Sequence, residues 1–256
     1  THIGKYGIEI SQNIDKDSIK KNKDIYSLKN LLELILEKTN IKRIRLSSIE
    51  VNELSEELIE IIANSRRIAK HLHIPLQSGS DRILKLMKRP YNIEFFSKKL
   101  IKIKEKIPEI TFTTDVIVGF PDEREEDFYK TINLIEKFLF SKAHVFRFSP
   151  RPGTAAENME KQVAENIKYF RALLLRNYCD LIRKKYIQGF LKKRVSVSIE
   201  KIDKEKEEAY GMSEEYIKTM LSLKNGKASE HISQGRIYDV LVTKIDENRL
   251  VGKLLD

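Results

Sequence analysis

The sequence predicts an α/β fold, a parallel sheet or barrel of repeated βα units, followed by a small all-β domain. Strand-like and helix-like segments alternate through the first three-quarters of the chain, with strands beginning near residues 41, 71, 111 and 142. This spacing of one βα unit is typical of parallel sheets and barrels. Short alternating segments separated by turns fill the last part, which is typical of a small β-barrel. We therefore predict two domains, residues 1–190 and 191–256.

The helices of the first domain are predicted from apolar residues at helical spacing. In segment 27–39, five residues fall on one face of a helix: Leu28, Leu31, Leu32, Ile35 and Leu36. Similar patterns predict helices over residues 53–65, 80–89, 93–107, 123–140 and 160–190. Largely apolar runs predict strands over residues 41–48, 71–76, 111–120 and 142–149.

The second domain is predicted from short strands and turn residues. Strand-like segments cover residues 195–202, 235–246 and 248–255, with further strand material in 208–221. Turns are expected at Lys224-Asn225-Gly226 and at Asp246-Glu247-Asn248. The joint between the domains is expected near residues 189–194.

The composition is typical of a soluble, cytoplasmic protein with a substantial core. Hydrophobic residues make up 41% of the 256 residues and charged residues 34%. No run of about 18 apolar residues occurs, so we predict no membrane span. The single cysteine, Cys179, excludes a disulfide framework or a cysteine-held metal cluster built from this chain alone. The chain begins at Thr1 in what reads as the end of a strand, and we expect a preceding segment of the same protein.

Positive charge is concentrated in one part of the chain. The net charge is +10 over the whole sequence, and residues 142–194 contain 13 basic and 4 acidic residues. Such a concentration is typical of a surface that binds a polyanion, although a solvated basic helix explains the charge equally well.

Small, polar or glycine-rich residues lie at the ends of the four predicted strands. Ligands of parallel α/β folds bind at the carboxyl ends of the strands, which meet at one rim of the sheet. We predict a ligand site at this rim, where glycine lets backbone approach the ligand. Its candidate residues are Ser47, Ser48, Glu50, Gln77, Ser78, Gly79, Asp115, Gly119 and Arg151.

Several of these residues also have structural interpretations. Ser78 or Ser80 is a suitable N-cap for the next helix. Asp122 and Glu125 fit a capping box at the start of helix 123–140. Asp115 lies within an otherwise apolar strand, where a carboxylate needs a partner, and this favours a site role.

Five side chains with reactive or charged groups are interpreted from their positions. Glu50 is as consistent with a surface carboxylate as with a site residue, and Arg151 at a strand tip suits a carboxylate or phosphate. The histidines show no metal-binding spacing, and His71 and His73, which alternate along a strand, are interpreted as structural. Cys179, within the long helix, is interpreted as an inert packing thiol.

Four segments together resemble a known family. RIRLSSIE (43–50), HLHIPLQSGSDRILKLMKRPY (71–91), TTDVIVGFPDEREEDF (113–128) and HVFRFSPRPGTAA (144–156) resemble, in order, signature segments of the tRNA methylthiotransferases of the radical S-adenosylmethionine superfamily. SSIE and the opening THIGKYG are most similar to the branch that acts on N6-threonylcarbamoyladenosine at position 37 of tRNA. Residues 192–256 resemble the TRAM domain, a small RNA-binding barrel.

The resemblance implies a fold, an activity and cofactors. It implies an incomplete radical SAM (partial TIM-type) βα barrel and methylthiolation of C2 of the modified adenine, with S-adenosylmethionine and two 4Fe-4S clusters in the intact protein. The rim candidates would bind S-adenosylmethionine, with Asp115 and Arg151 near the cofactor or the substrate. The expected partner is the tRNA anticodon stem-loop, with no membrane. Its phosphates would be contacted by Lys184, Lys185, Lys192, Lys193 and Arg194.

The chain also departs from the family pattern. The CxxxCxxC loop that holds the radical SAM cluster does not occur in the sequence, so we expect the chain to lack both cluster-ligand sets and to be inactive alone. Phe120-Pro121-Asp122-Glu123-Arg124 replaces the usual FPGET, and Val51 replaces a usual proline. Alternatives are the isopentenyladenosine branch, the ribosomal-protein branch, a noncatalytic RNA-binding remnant and an ordinary phosphate-binding barrel enzyme.

Overall fold

Two compact units make up the chain, Thr1–Cys179 and Asp180–Asp256. The computed structural model describes Tyr6, residues 27–223 and residues 232–255. The turn predicted at residues 224–226 lies outside the described residues. Among the helices that are described, none combines the length and the apolar character needed to cross a bilayer.

The first unit is built on an open sheet of four parallel strands in the order β1-β2-β3-β4. Helices connect successive strands, so the predicted incomplete βα barrel is confirmed. The strands are β1 (Ile44–Leu46), β2 (Ile68–His73), β3 (Thr111–Val118) and β4 (Lys142–Arg147). The helices are α1 (Leu28–Lys38), α2 (Glu56–Asn64), α3 (Asp81–Leu86), α4 (Ile93–Lys106), α5 (Glu125–Phe138) and α6 (Glu165–Gln188).

The helices begin where the sequence supplies capping side chains. The Ser27 hydroxyl accepts a hydrogen bond from the Asn30 N–H at 3.2 Å, and the Ser55 hydroxyl accepts one from Leu58 at 3.2 Å. The Asn92 side chain accepts one from the Phe95 N–H at 2.8 Å. Each cap provides a partner for a backbone donor that the first turn leaves without one, which fixes the start of α1, α2 and α4.

Helix α5 begins differently from the prediction. Its N-cap is Arg124, whose backbone N–H donates to Asp127 Oδ2 at 2.9 Å, so the predicted capping box of Asp122 and Glu125 is wrong. Asp122 instead has left-handed backbone, with φ of 62°, and its carboxylate binds the Arg82 guanidinium at 2.6 Å. Asp127, three positions after Arg124, is therefore the acidic residue that caps α5.

The two faces of the sheet have different compositions because side chains alternate along each strand. We call the face that carries Leu46, Leu72, Phe112 and Val116 the outer face, and all four of these residues are at most 5% exposed. Lys70, also on this face, donates to the Ala63 carbonyl at 2.9 Å and the Ser65 carbonyl at 3.0 Å at the end of α2. The apolar core of the unit lies between this face and the buried sides of the helices.

Strand β4 forms one edge of the described sheet, and helix α6 supplies a partner to it. The Arg176 guanidinium donates two hydrogen bonds to the Val145 carbonyl oxygen, at 2.7 and 3.2 Å. This carbonyl belongs to the strand at the end of the sheet order. The arginine thus occupies a backbone acceptor of the edge strand.

The second unit contains a closed five-stranded barrel in the order β5-β6-β7-β9-β8, which confirms the predicted all-β tail. All neighbouring strands are antiparallel except β7 and β9, which are parallel. The predicted turn near Asp246 is present, since Asp246 pairs with Arg249 across a two-residue loop. The strands are β5 (Arg194–Asp203), β6 (Glu208–Ser213), β7 (Lys218–Ser222), β8 (Ile237–Asp246) and β9 (Arg249–Leu254).

The barrel interior is apolar. Residues from every strand are buried in it, as the alternating pattern of each strand requires. The buried set is Ile187, Val195, Val197, Ile199, Ala209, Ile217, Leu221, Val240, Val242 and Leu250.

Candidate functional site

Three predicted rim residues share an unusual backbone conformation at the carboxyl ends of neighbouring strands. Ser48, Gln77 and Gly119 follow β1, β2 and β3 and have φ of 54°, 65° and 72°. For Ser48 and Gln77 this left-handed conformation costs on the order of 1–2 kcal/mol, a strain that clusters at functional sites. The chain therefore turns sharply at three successive strand tips.

Backbone hydrogen bonds connect these tips across the sheet. The Ile49 N–H donates to the His73 carbonyl at 3.1 Å, and the Gln77 N–H donates to the Asp115 carbonyl at 2.8 Å. The Ile117 N–H in turn donates to the Gln77 carbonyl at 2.9 Å. The loops after β1 and β2 thus continue the sheet, which brings the predicted residues of these tips to one rim.

The QSGS segment is packed against α5. The Gly79 N–H donates to Thr131 Oγ1 at 2.8 Å, and a Cβ on Gly79 would lie 2.7 Å from the Lys130 carbonyl oxygen. Ser80 is the N-cap of α3, but its hydroxyl donates to Asp127 Oδ1 at 2.6 Å instead of capping the helix. The close backbone approach that requires glycine here is to α5, and Ser78, 1% exposed, lies in the same buried turn.

Gly119 is held by a buried ion pair. Its N–H donates to Glu123 Oε1 at 2.9 Å, and the same oxygen accepts from the Arg171 guanidinium at 2.7 Å. Burial raises the pKa of the Glu123 carboxyl, while the Gly119 N–H and Arg171 oppose this shift. A Cβ on Gly119 would collide with the Lys168 side chain, so this glycine is required both by its φ and by the lack of space.

Glu50 is engaged in an ion pair beside the loop after β1. Its Oε1 lies 3.0 Å from the Arg89 guanidinium, and the residue is 7% exposed. Its backbone N–H donates to Glu53 Oε2 at 3.2 Å, at the start of a short 3-10 helix. Burial, with a smaller contribution from the Glu50 charge, raises the pKa of the neighbouring Tyr91 hydroxyl. The structure therefore gives Glu50 a definite structural partner as well as a place near the rim.

The remaining rim candidates are more accessible. Ser47 is exposed and directly follows β1. Arg151 is exposed, and its carbonyl accepts hydrogen bonds from the N–H and the hydroxyl of Thr154, at 3.2 and 2.8 Å, in the turn predicted from its sequence. The positions of both residues are compatible with a role in ligand binding.

A hydrogen-bonded row crosses the face of the sheet opposite to the outer face, which we call the inner face. The Thr113 hydroxyl contacts His71 Nε2 at 3.0 Å and His73 Nδ1 at 2.9 Å. His73 Nε2 lies 3.2 Å from Asp115 Oδ2, and Asp115 is the register partner of His144 on β4. The partner that the carboxylate of Asp115 requires is thus a histidine on the neighbouring strand.

The inner face becomes more accessible toward the rim. His71 is 2% exposed and Thr113 1% exposed, whereas the side chains of His73 and Asp115 are 14% and 28% exposed. Burial lowers the pKa of His71 from 6.5 to about 3, with smaller contributions from the charges of Arg45 and His73. His71 is therefore neutral at physiological pH, and the more accessible members of the row are His73 and Asp115.

From the sequence, His71 and His73 are interpreted as structural, and no role is predicted for His144. The signal that points to them is the alternation of polar residues on adjacent parallel strands, Arg43-x-Arg45, His71-x-His73 and Thr113-x-Asp115. Alternation of this kind indicates a strand with one polar and one apolar face. The register of the strands, which the sequence alone does not give, brings these polar residues together on one face.

The five predicted RNA-contacting residues all lie in the second unit and are exposed. Lys192 and Lys193 are fixed by their backbone, because the Lys192 N–H donates to the Val242 carbonyl and the Val242 N–H donates to the Lys193 carbonyl, both at 2.9 Å. Arg194 follows as the first residue of β5, and Lys184 and Lys185 lie in the last turns of α6. These residues form a cationic segment, which we call the basic joint, suited to phosphate.

The chain does not fit an iron–sulfur cluster of its own. It has one cysteine, Cys179, which is buried in α6. Within residues 27–223 and 232–255, no group of three or more histidine, cysteine, aspartate or glutamate side chains is arranged to hold a metal ion. A cysteine-held cluster requires several thiolates, which this chain does not contain.

Comparison with known proteins assigns the part of the first unit that contains β1, β2 and β3 to a family. The family model described as the radical SAM superfamily matches residues 21–135. This part of the chain is a radical SAM domain. The match covers β1, β2 and β3 with the tips that carry Ser48, Gln77 and Gly119. Members of the radical SAM superfamily use S-adenosylmethionine and 4Fe-4S clusters.

Curated relatives extend the similarity over nearly the whole chain. A Bacillus subtilis protein named threonylcarbamoyladenosine tRNA methylthiotransferase MtaB is 39% identical over 246 residues, covering 95% of this chain and 51% of the relative. Its namesake from Thermotoga maritima is 38% identical over 199 residues, covering 78% of this chain and 43% of the relative. The radical SAM domain and the barrel therefore span about half the length of such relatives.

A second kind of relative shows similar identity. The tRNA-2-methylthio-N(6)-dimethylallyladenosine synthase of Thermodesulfovibrio yellowstonii is 35% identical over 225 residues, covering 88% of this chain and 50% of the relative. The names of the two kinds of relative refer to two different modified adenosines. The radical SAM domain alone therefore does not distinguish between them.

Proposed function

We propose that the chain is part of a tRNA methylthiotransferase that adds a methylthio group to C2 of N6-threonylcarbamoyladenosine at position 37 of tRNA. The observation that carries the proposal is the 39% identity with the Bacillus subtilis enzyme across 95% of the chain. The row of strained, polar strand tips supports it, because such tips suit the binding of a nucleotide-like cofactor. The dimethylallyladenosine activity is the second candidate, and the 35% identical relative supports it.

In the proposed enzyme, S-adenosylmethionine bound to a 4Fe-4S cluster would supply the radical chemistry. The residues of this chain would bind and orient the cofactor at the rim: Ser47, Ser48 and Glu50 after β1, Gln77, Ser78 and Gly79 after β2, Asp115 on β3, Gly119 after β3, and Arg151 after β4. The left-handed turns at Ser48, Gln77 and Gly119 support this, because they redirect the chain at the ends of three neighbouring strands. Buried walls around the tips would exclude water, which protects a reactive intermediate.

The cluster ligands would come from a segment of the same protein that precedes this chain. We infer two clusters in the intact protein, one in the radical SAM domain and one in an N-terminal domain, with no ligand from residues 1–256. The single cysteine of the chain supports this inference, and so does its coverage of about half of the relatives. An isolated 256-residue chain is accordingly expected to be inactive.

The proposed partner is the anticodon stem-loop of tRNA, and the proposed location is the cytoplasm. Lys184, Lys185, Lys192, Lys193 and Arg194 would contact its phosphates, and the small barrel would act as a TRAM-like RNA-binding domain. The exposed, backbone-anchored basic joint supports this assignment, because phosphate contacts supply most of nonspecific nucleic-acid affinity. Replacing Lys192, Lys193 and Arg194 with alanine should flatten the salt dependence of RNA binding.

Nucleoside mass spectrometry of tRNA tests the proposal. Cells from which the gene is deleted should lose the methylthio form of threonylcarbamoyladenosine, while threonylcarbamoyladenosine itself accumulates. Reintroducing the intact gene should restore the methylthio form. Loss of the methylthio form of dimethylallyladenosine instead would assign the chain to the second candidate. Unchanged levels of both nucleosides in the deleted strain would overturn both activities and leave the noncatalytic RNA-binding alternative.

A further inference from the structure

Helix α6 has a second apolar side that faces solvent. Its first apolar side packs into the first unit, where Ala172, Leu175 and Cys179 are buried. A helix that is apolar on both sides needs a partner on each of them. Among the residues that the structure describes, only the first side is covered. The side chains of the second side are between 39% and 63% exposed: Ile167, Tyr169, Phe170, Leu173 and Leu174.

Helix α5 extends this exposed surface. A groove of about 490 Å³ lies between α5 and α6, and its apolar lining includes Tyr129, Ile167, Phe170 and Leu174. Tyr129 on α5 is itself 49% exposed. We use the term apolar ridge for Tyr129 together with the five exposed side chains of α6 given above. Contiguous apolar patches of this kind mark interaction sites on soluble proteins.

The charged side chains of this part of α6 are directed toward the protein's own fold. Residues 166–177 contain three of them, Lys168, Arg171 and Arg176. Lys168 and Arg171 are buried, and the Arg176 guanidinium donates to the Val145 carbonyl. An RNA-binding surface presents cations to phosphates, and a helix that lies on a bilayer carries lysine or arginine beside its apolar side. The apolar ridge is therefore suited to a protein surface.

The order of residues along α6 makes its exposed side complementary to a second copy of itself. Asn166, Phe170, Leu173 and Asn177 are all exposed and recur at spacings of four, three and four residues. This spacing places them in one line along the helix. From either end, the line consists of an amide, two large apolar side chains and an amide. It therefore matches its own copy in the reverse direction, as a two-fold axis requires.

An antiparallel pair of α6 helices would give each member of this line a suitable partner. Phe170 would face Leu173 of the second copy, and Leu173 would face Phe170 in return. Asn166 would face Asn177, and each of these amides can both donate and accept a hydrogen bond. A parallel pair would instead place each residue against the same residue of the second copy.

The size of the apolar ridge fits a dimer that dissociates on dilution. The ridge has three aromatic and three aliphatic side chains, each exposed by about half, and a fully buried aromatic side chain covers about 150–250 Å². Each copy would bury roughly 500 Å² and the pair roughly 1,000 Å², which is the lower limit for a specific interface.

We propose that two copies of the chain associate through the apolar ridge, with their α6 helices antiparallel and in contact over residues 166–177. This association does not depend on the proposed function, because it uses none of the residues assigned there to the cofactor or to RNA. The methylthio nucleoside measurement and the mass measurement below therefore fail or succeed separately.

Analytical ultracentrifugation of the 256-residue chain and of the intact protein tests the proposal. Between about 1 µM and about 200 µM, a range in which small interfaces dissociate, the average mass of the 256-residue chain should rise from 30.0 kDa toward twice that value. The intact protein should show the same doubling relative to its own mass. Phe170→Glu and Leu173→Lys should each weaken association about tenfold or more, because each removes an apolar contact at the centre of the interface.

A charge exchange separates the interface from folding. The double variant Phe170→Glu/Leu173→Lys should associate about threefold or more tightly than either single variant, because antiparallel helices bring its opposite charges face to face. Parallel helices would bring like charges together and would give no such recovery. Leu34→Lys, at a position of α1 that is 48% exposed, is the matched control for Leu173→Lys, at a position that is 44% exposed, and should leave association unchanged.

Four results would count against the proposal. Monomers at every concentration for both proteins would overturn it. A dimeric 256-residue chain with a monomeric intact protein would also overturn it, since another part of the same protein would then cover the apolar ridge. A dimer that Phe170→Glu and Leu173→Lys leave unchanged would have its interface elsewhere. A double variant as weak as the single variants would overturn the antiparallel arrangement.

Discussion

The two faces of the four-stranded sheet are built from alternate residues of the same strands and differ in what their side chains do. On the outer face, the apolar side chains of Leu72 and Val116 are fully buried. On the inner face, the side chains of their neighbours His73 and Asp115 contact each other at 3.2 Å and are partly open to solvent. Substitutions at adjacent positions of one strand are therefore expected to affect either the stability of the fold or the binding of a ligand. Four predictions test this comparison.

The largest expected effect is on the outer face. Leu72→Ala should lower the free energy of unfolding of the first unit by about 3 kcal/mol, because it removes buried methyl groups and leaves a cavity. Urea titration of the 256-residue chain measures this change. Leu34→Ala, at a position that is 48% exposed on α1, is the matched control and should change stability by less than about 0.5 kcal/mol. Equal losses for the two variants would contradict the assignment of the outer face to the core.

The next effect concerns the contact between the QSGS turn and α5. Gly79→Ala should cost about 2 kcal/mol, because the new methyl group would overlap the backbone of α5 at Lys130 and Thr131. Gly153→Ala is the control: its added methyl group meets nothing within 4 Å, so it should cost only the strain of its left-handed backbone, about 1 kcal/mol. A Gly79→Ala variant as stable as Gly153→Ala would show that α5 can move away.

A third prediction uses pH to test the buried end of the inner face. Burial lowers the pKa of His71 to about 3, so at mildly acidic pH the unfolded chain takes up a proton that the folded chain does not. This proton uptake favours the unfolded chain. The contribution of neutral His71 to stability is therefore fully present above the ordinary pKa of 6.5 and is lost as the pH falls from there toward 3.

The measurement compares the wild-type chain with His71→Gln, which does not titrate. Between about pH 7.5 and about pH 5.5, the wild type should lose about 1.4 kcal/mol more stability than the variant, from the linkage of one proton. Urea titrations at the two pH values give the difference. Parallel pH profiles for the two proteins would mean that His71 is accessible and titrates normally.

The smallest expected effect on stability comes from the exposed end of the inner face. Asp115→Asn should lower the free energy of unfolding by less than about 1 kcal/mol, because the contact of its carboxylate with His73 is partly solvated and such contacts contribute little. In cells whose only copy of the gene carries this substitution, the methylthiolated nucleoside should nevertheless decrease relative to its precursor. A stability loss above about 2 kcal/mol would instead mean that Asp115 contributes to folding as strongly as a buried residue of the outer face.

The sequence predicted most of the fold because its patterns are local. Apolar spacing located the helices and strands of both units, and the resemblance identified the radical SAM domain that the family model matches. The sequence also predicted Ser48, Gln77 and Gly119 as rim residues, and in the structure they follow neighbouring strands with the same left-handed turn. Residues that need a special backbone conformation or lie at strand ends are visible in one-dimensional patterns.

Contacts between distant segments were not predictable in the same way. The partners of Gly79 on α5 and of Glu50 at Arg89 are separated from them by many residues, and nothing local indicates them. The cap of α5 was assigned to Asp122 because two acidic residues had suitable spacing, but the Arg82 guanidinium binds Asp122 instead. The interpretation of His71 and His73 as structural did not identify their partners Thr113 and Asp115, because only strand register brings these residues together.

The contact between Arg176 and Val145 has a consequence for how copies of the chain meet. Unpaired carbonyl groups on an edge strand attract strands of other molecules, which leads to aggregation. The Arg176 guanidinium occupies the Val145 carbonyl of β4 and also places a positive charge beside this edge. We therefore expect Arg176→Ala to promote self-association through β4 before it measurably alters the fold.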